Sequence, residues 1–381
     1  MAKKAFLGID DRARRISKVY LGVGGVARKV VRGYIGVGGK ARPFFSDGAM
    51  YYGVLTSKLS SMRHEAAAAS AGDYAFVYGF YSPRNGEYNI KADTFNKSLT
   101  KVNNSFNGSS VHSLAAATAG DHAVFAGGAM NNMTVPYIYE FSSDLTSQAI
   151  NYLTYNSENL AGASVGGYAL FAGGEDRDKN ATCKNVSVIS STLTLSATTE
   201  LSAAAAHLCG ISTDTYAVFA GGVDSTDYAN NNKNNVSAYN SSLTRISGYL
   251  SVARVDLAGG HIGEHILFAG GGTLSGDYFD TVDVFDQSLT RTLGTPLSVA
   301  RSELSGGSLD GTLVFAGGKT SSGAVKTTDY YDESLTRSNG KPLTYARYGA
   351  ASTKIAQYFF IAGGYVTNDN IDRQTTIEAY S

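Results

Sequence analysis

A short apolar run closed by two glycines returns at near-constant spacing along most of this 381-residue chain. Tyr216-Ala217-Val218-Phe219-Ala220-Gly221-Gly222 is one copy. Others end at Gly127-Gly128, Gly173-Gly174, Gly270-Gly271, Gly317-Gly318 and Gly363-Gly364, and a worn one, Ala75 to Gly79, has Phe80 as its last residue. The aligned starts are Tyr74, His122, Tyr168, Tyr216, His265, Thr312 and Tyr358, with steps of 48, 46, 48, 49, 47 and 46 residues. Repeats of this length are single supersecondary units that bury their apolar faces only against further copies.

Each unit carries four strand signals. A small-residue stretch such as Leu257-Ala258-Gly259-Gly260 comes first, then the apolar run, then a variable polar loop. A third strand such as Val282 to Asp286 follows, then a Ser-Leu-Thr turn (Ser288-Leu289-Thr290) and a fourth strand leading to Leu297-Ser298-Val299-Ala300-Arg301. Seven such units predict an all-β, seven-bladed β-propeller. The seventh unit stops at Tyr380-Ser381, before its turn and fourth strand, whereas Tyr51 to Arg63 reads as a fourth strand with no blade before it. Residues of about 49–59 are therefore expected to complete the last blade and close the ring, which removes an open sheet edge.

The Gly-Gly ending, the aromatic-Asp of the third strand (Phe285-Asp286) and the Leu-x-x-x-Arg before each first strand resemble the kelch family. Kelch repeats usually place a Trp after the third strand. This chain has no Trp, and the Leu of Ser-Leu-Thr is expected to pack in its place. The resemblance also implies a lesser alternative, since kelch propellers include a copper oxidase and a sialic acid epimerase. An oxidase-type site needs Cys, Tyr and His at chosen blades, and no such set stands out around Cys209.

Residues 1–45 follow another rule. Phe6 to Arg14, Tyr20 to Arg28 and Tyr34 to Arg42 repeat at a step of fourteen, with a basic residue (Lys4, Lys18, Arg32) two before each aromatic. Gly24-Gly25, Gly38-Gly39 and Asp10-Asp11 suit tight hairpin turns. The stretch holds eleven Lys/Arg against two Asp, while the remainder holds 21 basic and 30 acidic residues. This contrast sets residues 1–45, a basic hairpin module, apart from residues 46–381, the propeller. Gly22 to Ala27 imitates a dinucleotide fingerprint, but Arg28-Lys29-Val30-Val31 is β-prone where a helix must open. The basic residues follow the repeat without clustering, so no nucleic-acid partner is expected. The unit Tyr20 to Val30 and its copy at Tyr34 resemble a module of tail-fibre and minor structural proteins from phages and prophages of Gram-positive gut bacteria. That resemblance implies attachment to a tail or baseplate protein, or a homotrimer.

Other chemistry is sparse. Cys183 and Cys209 read as unpaired thiols. His261-Ile262-Gly263-Glu264-His265 matches an inverted zinc motif in letters, but the motif needs a helix and here it spans a hairpin tip. His112 and His207 fall at or near the repeat position of Arg63, Arg254, Arg301 and Arg347, close to the channel or blade rim. No metal, cofactor or catalytic group is expected. No apolar leader or run of about 18 apolar residues suggests a signal peptide or membrane insertion. The loops after each Gly-Gly differ most among copies and are rich in Asn, Asp, Tyr and Ser, a composition suited to recognition. The candidate ligand residues on that face are Tyr81, Arg84, Asn131, Asn132, Asp176, Arg177, Asp224, Asp227, Tyr228, Asp277, Tyr278, Asn368 and Asp369. The expected role is a non-enzymatic recognition head that binds a host surface glycan or protein, in a virion tail or outside the cell after lysis. The alternative is a kelch scaffold for an intracellular protein partner, and a kelch-type oxidase or sugar epimerase ranks third.

Overall fold

The computed structural model describes residues 51–79, 92–103, 106, 108–224, 231–309, 311–366 and 375–381, together with the backbone of the strands within 6–46 and at 89–90. Seven four-stranded antiparallel sheets form the blades of a ring. Blade 5 is representative: Ala258–Ile262, His265–Ala269, Val282–Phe285 and Arg291–Leu293, from the channel outwards. Each innermost strand touches the next, and that of the seventh blade, Ala351–Ile355, touches that of the first, Ala67–Ala71.

The small residues of the innermost strands follow from this crowding. A Cβ on Gly162 would stand 2.3 Å from the Ala116 carbonyl oxygen of the preceding blade. The apolar runs form the second strands, and their side chains fill the spaces between blades. Seven buried clusters result, one per interface; between blades 5 and 6, Leu267, Ala269 and Val284 meet Leu313, Phe315 and Tyr331. Each such large side chain contributes roughly 1.5–3 kcal/mol on burial.

The two glycines are a backbone requirement. Gly270 and Gly271 have φ of +67° and +97°, and Cβ atoms there would meet the carbonyl oxygens of Arg301 and Val255 at 2.5 and 2.7 Å. The first contact lies across the blade interface. The pair therefore belongs to the scaffold.

The Leu of each Ser-Leu-Thr turn packs at a blade interface, as the sequence suggested, but in a strained backbone state. Leu99, Leu145, Leu193, Leu243, Leu289 and Leu335 all have φ between +59° and +68°. In blade 5, Asp286 Oδ1 accepts the backbone N–H groups of Ser288 and Thr290, both at 2.9 Å, and the Leu289 N–H donates to the Asp286 carbonyl. A left-handed non-Gly residue costs roughly 1–2 kcal/mol, offset here by burial of Leu289 among Phe285, Phe268 and Leu257. Leu289→Gly removes the strain and the packing together, whereas Leu289→Ala removes the packing alone. The Gly variant is expected to unfold at higher denaturant concentration than the Ala variant, the reverse of the order within an ordinary strand. The opposite order would remove strain from this account.

The ring closes as expected. Tyr51–Val54 is the outer strand of blade 7, with Tyr51, Gly53 and Val54 opposite Tyr380, Ala379 and Glu378. Among residues 1–46, three separate antiparallel hairpins pair Phe6–Ile9 with Arg12–Arg15, Val19–Val23 with Val26–Val30, and Arg32–Val37 with Lys40–Ser46.

A polar device repeats in four blades. Arg63, Arg254, Arg301 and Arg347 are all at most 1% exposed, and they pair with Asp93, Asp283, Asp329 and Glu378 on the third strand of the same blade. Each of these acids also holds the chain just before its arginine, as Asp329 accepts from Ser298 N–H and Oγ. The outer-to-inner crossing is thereby pinned over the blade end.

Candidate functional site

The crossing segments all reach the channel at the end where the Gly-Gly loops begin. Two residues past each arginine position, the chain adopts a left-handed conformation. The seven positions are Glu65, Ser113, Asn159, His207, Asp256, Glu303 and Gly349, with φ between +50° and +58°. Backbone hydrogen bonds of 2.8–3.3 Å run from blade to blade around the mouth: Ser113 N–H to Glu65 O, Asn159 to Ser113, His207 to Asn159, Asp256 to His207, Glu303 to Asp256 and Gly349 to Glu303. One backbone conformation is thus repeated sevenfold with five kinds of side chain and one glycine.

In six blades the residue before the ring position is bridged to the residue after the glycines. Ser302 and Lys319 exchange N–H···O bonds of 3.0 and 2.8 Å, and Tyr348 and Tyr365 exchange bonds of 3.1 and 2.9 Å. These bridges seat Lys319 and Tyr365 beside the ring. Together they line a cavity of about 470 Å³, with Leu114, Leu160, Leu208, Leu257 and Leu304 at the next position inward along the chain.

The ring side chains are differently engaged. Glu65 accepts hydrogen bonds from Ser113 Oγ at 2.8 Å and Tyr365 Oη at 3.1 Å, and its Oε2 lies 3.1 Å from His112 Nδ1. Burial opposes ionisation of Glu65, but His112, His64 and Ser113 hold its carboxyl well below the usual range. Asn159 donates to Glu175 Oε1 at 3.0 Å. His207 Nδ1 lies 3.3 Å from Asp256 Oδ1. Burial lowers the affinity of His207 for a proton, yet the Asp256 charge and hydrogen bond outweigh it and push its pKa up to about 9. Glu303 moves to about 7, first through burial and then through the neighbouring Asp256 charge.

A histidine whose folded pKa lies above its unfolded value of about 6.5 contributes stability that is complete below that pH and is lost as pH rises through the folded pKa. The melting-temperature advantage of the wild type over His207→Gln is accordingly expected to be largest at acidic pH and to shrink between pH 6.5 and about 9. Parallel melting curves across that range check this, and a difference that grows with pH would refute the pairing.

The expected site residues lie outside this ring. Asn131 and Asn132 form the exposed tip of a hairpin, Ala129–Met130 with Met133–Thr134. Asp176 is buried between Thr134 and Lys179, at 3.1 and 2.9 Å. Arg177 is exposed on one side but its Nε lies 2.6 Å from the buried Glu158 and 3.8 Å from Glu175, which brings it to the rim behind Asn159. Asp224 faces Lys233 at 3.8 Å. Asp277 is exposed and caps its own loop through Thr273, with Tyr278 bridged to Gly272. Tyr81, Arg84, Asp227, Tyr228, Asn368 and Asp369 fall outside the described residues.

Sequence reasoning did not single out the ring. His112 and His207 are one and two residues past the arginine position, which Val111 and Ala205 occupy, since Gly174 N–H donates to the Ala205 carbonyl as Gly222 N–H does to that of Arg254. A repeat alignment extended two residues past Arg would have exposed the mixed chemistry of the ring.

No family matches the chain, and no curated protein does. A solved structure shares its fold. That structure, of YjhT, superposes with a TM-score of 0.57 at 14% identity, covering 70% of this chain and 93% of YjhT. At that identity the likeness concerns the propeller alone. His261 to His265 spans a hairpin tip, as its turn glycine implied, and both cysteines are unpaired. Among the described residues no group of three or more His, Cys, Asp or Glu is arranged to hold a metal ion.

Proposed function

We propose that this chain is a recognition protein that binds a surface glycan or protein of a host cell through the channel mouth and the loops around it. The observation that carries this reading is the ring. Seven positions share one backbone conformation and are linked by six like hydrogen bonds, yet carry no common side chain. A scaffold constraint would favour one residue type at all seven. A polar cavity at the end where the most variable loops emerge is the usual form of a ligand site.

Residues 1–46 supply the second part of the proposal. Their three hairpins, basic composition and fourteen-residue repeat suit a tether to an acidic partner in a tail assembly. The head would then be carried by a phage or phage-like tail, with the propeller outward. The fluorescently labelled full chain is expected to stain whole bacterial cells of the host. Staining should survive removal of surface proteins by protease if the ligand is a glycan. Replacing His207 and Asp277 by Ala is expected to weaken staining at least tenfold. No staining of any cell type, together with tight capture of one intracellular protein, would replace this reading with an intracellular scaffold. The mass of the intact chain in solution checks the tether, for which a trimer is expected.

A further inference from the structure

The ring has one carboxylate without a hydrogen bond or close ion pair among the described residues. Glu65 is saturated by Ser113, Tyr365 and His112, Asp256 faces His207, and Asn159 is tied to Glu175. The Glu303 carboxylate makes no hydrogen bond or ion pair among the described residues, although it lines the cavity between Asp256 and the glycine position. Lys319 is on the adjacent bridge, but its Nζ lies over the Tyr348 ring, 4.9 Å from the centroid. Gly349, the next ring member, has no side chain, and a Cβ there would come within 3.2 Å of Glu303 Oε2. The Glu303 carboxylate thus lies over the one ring position that has no side chain.

A carboxylate withdrawn from water is costly unless a cation or several donors meet it. The groups facing Glu303 are Asp256, Lys319, His207 and Glu65, and burial with the Asp256 charge raises its pKa to about 7. A ligand cation beside Glu303 in the cavity would relieve both effects. An ammonium offers three donors and no acceptor, which suits the acceptor-only carboxylate of Glu303. The rest of the wall, Ser113, Asn159 and His207 over a floor of leucines, suits hydroxyl groups and the C–H face of a sugar ring.

We infer that the channel mouth receives the protonated amino group of an amino-sugar unit on a surface glycan, with Glu303 as its counter-ion on the cavity wall beside Gly349. This rests on the recognition role proposed above and names the ligand chemistry for it.

Calorimetric titration of the full chain at pH 7 tests it, with a glucosamine trimer, an N-acetylglucosamine trimer and lysine amide as probes. The glucosamine trimer is expected to bind at least tenfold more tightly than the other two. Glu303→Gln, with an unchanged melting temperature, is expected to lose at least tenfold in affinity. Gly349→Asn keeps the left-handed backbone, which Asn tolerates, but sets a side chain against Glu303 Oε2, and is expected to block binding while folding normally. Equal binding of the acetylated trimer, or full affinity in both variants, would overturn the assignment. Lysine amide binding as well as the glucosamine trimer would overturn the sugar in favour of a peptide amine. Cell staining separates the two levels: staining by the wild type that Glu303→Gln leaves intact refutes this ligand alone, whereas a wild type that stains no cell refutes the recognition role.

Discussion

Deleting residues 49–59 is expected to abolish the cooperative unfolding of the propeller. The segment supplies the outer strand of blade 7 and the buried side chains of Leu55 and Leu59 at the interface with blade 1. Leu55 and Leu59 also donate backbone bonds of 2.8 and 2.9 Å to Ile377 and Thr375. Tyr51 donates its hydroxyl hydrogen to Glu378, the acid that holds Arg347, and burial together with that carboxylate raises the Tyr51 pKa to about 12. Without the segment, Ile377–Tyr380 becomes an open edge and an apolar interface loses its cover. Circular dichroism should then show a broad thermal transition instead of a single sharp one. A synthetic peptide of residues 49–63, added in trans, should restore the sharp transition at high concentration by mass action. An unchanged melting curve in the deletion would refute closure by this strand.

The second large effect is expected at a buried ion pair. Arg301 and Asp329 are both fully buried, 2.9 Å apart, and Arg301 also donates to the carbonyls of Gly317, Phe315 and Val299. Arg301→Met leaves Asp329 charged in the interior with only Arg337 and Ser298 to meet it. Removing one partner of a buried pair costs roughly 3–5 kcal/mol. Replacing both, Arg301→Met with Asp329→Leu, should recover part of that loss, because a well-packed apolar pair need not be worse than a buried ionic one. Denaturant unfolding of the two variants measures the coupling. A double variant less stable than Arg301→Met would show that Asp329 acts mainly by holding Ser298. The three blades without the arginine indicate that an apolar or small pair is workable, since Val111, Ser157 and Ala205 stand there opposite Tyr139, Ser187 and Ser237 on the third strands.

Those substitutions show how much was written in the chain. Arg and acid occur together in blades 1, 5, 6 and 7 and are absent together in blades 2, 3 and 4. Seven copies in one sequence amount to an internal comparison, and the pairing could have been read from it directly. Blade number, strand order and closure were legible for the same reason: each is a local pattern repeated until chance is excluded. The strained turn was not. Leu at a left-handed position runs against its intrinsic preference, and only the neighbouring blade makes the conformation worthwhile.

The sequence alone thus determined the scaffold. Apolar runs every 46 to 49 residues can be buried only by stacking, and stacking seven twisted sheets closes a ring. What the ring encloses was decided by tertiary structure. Glu65, Ser113, Asn159, His207, Asp256, Glu303 and Gly349 are about a repeat apart in the chain and have no one residue type in common. They meet at one mouth because each follows the crossing from one blade to the next, and because six blade-to-blade backbone bonds link seven positions of one conformation. Their side chains can differ there, since the repeated contacts between neighbouring ring positions are made by the backbone.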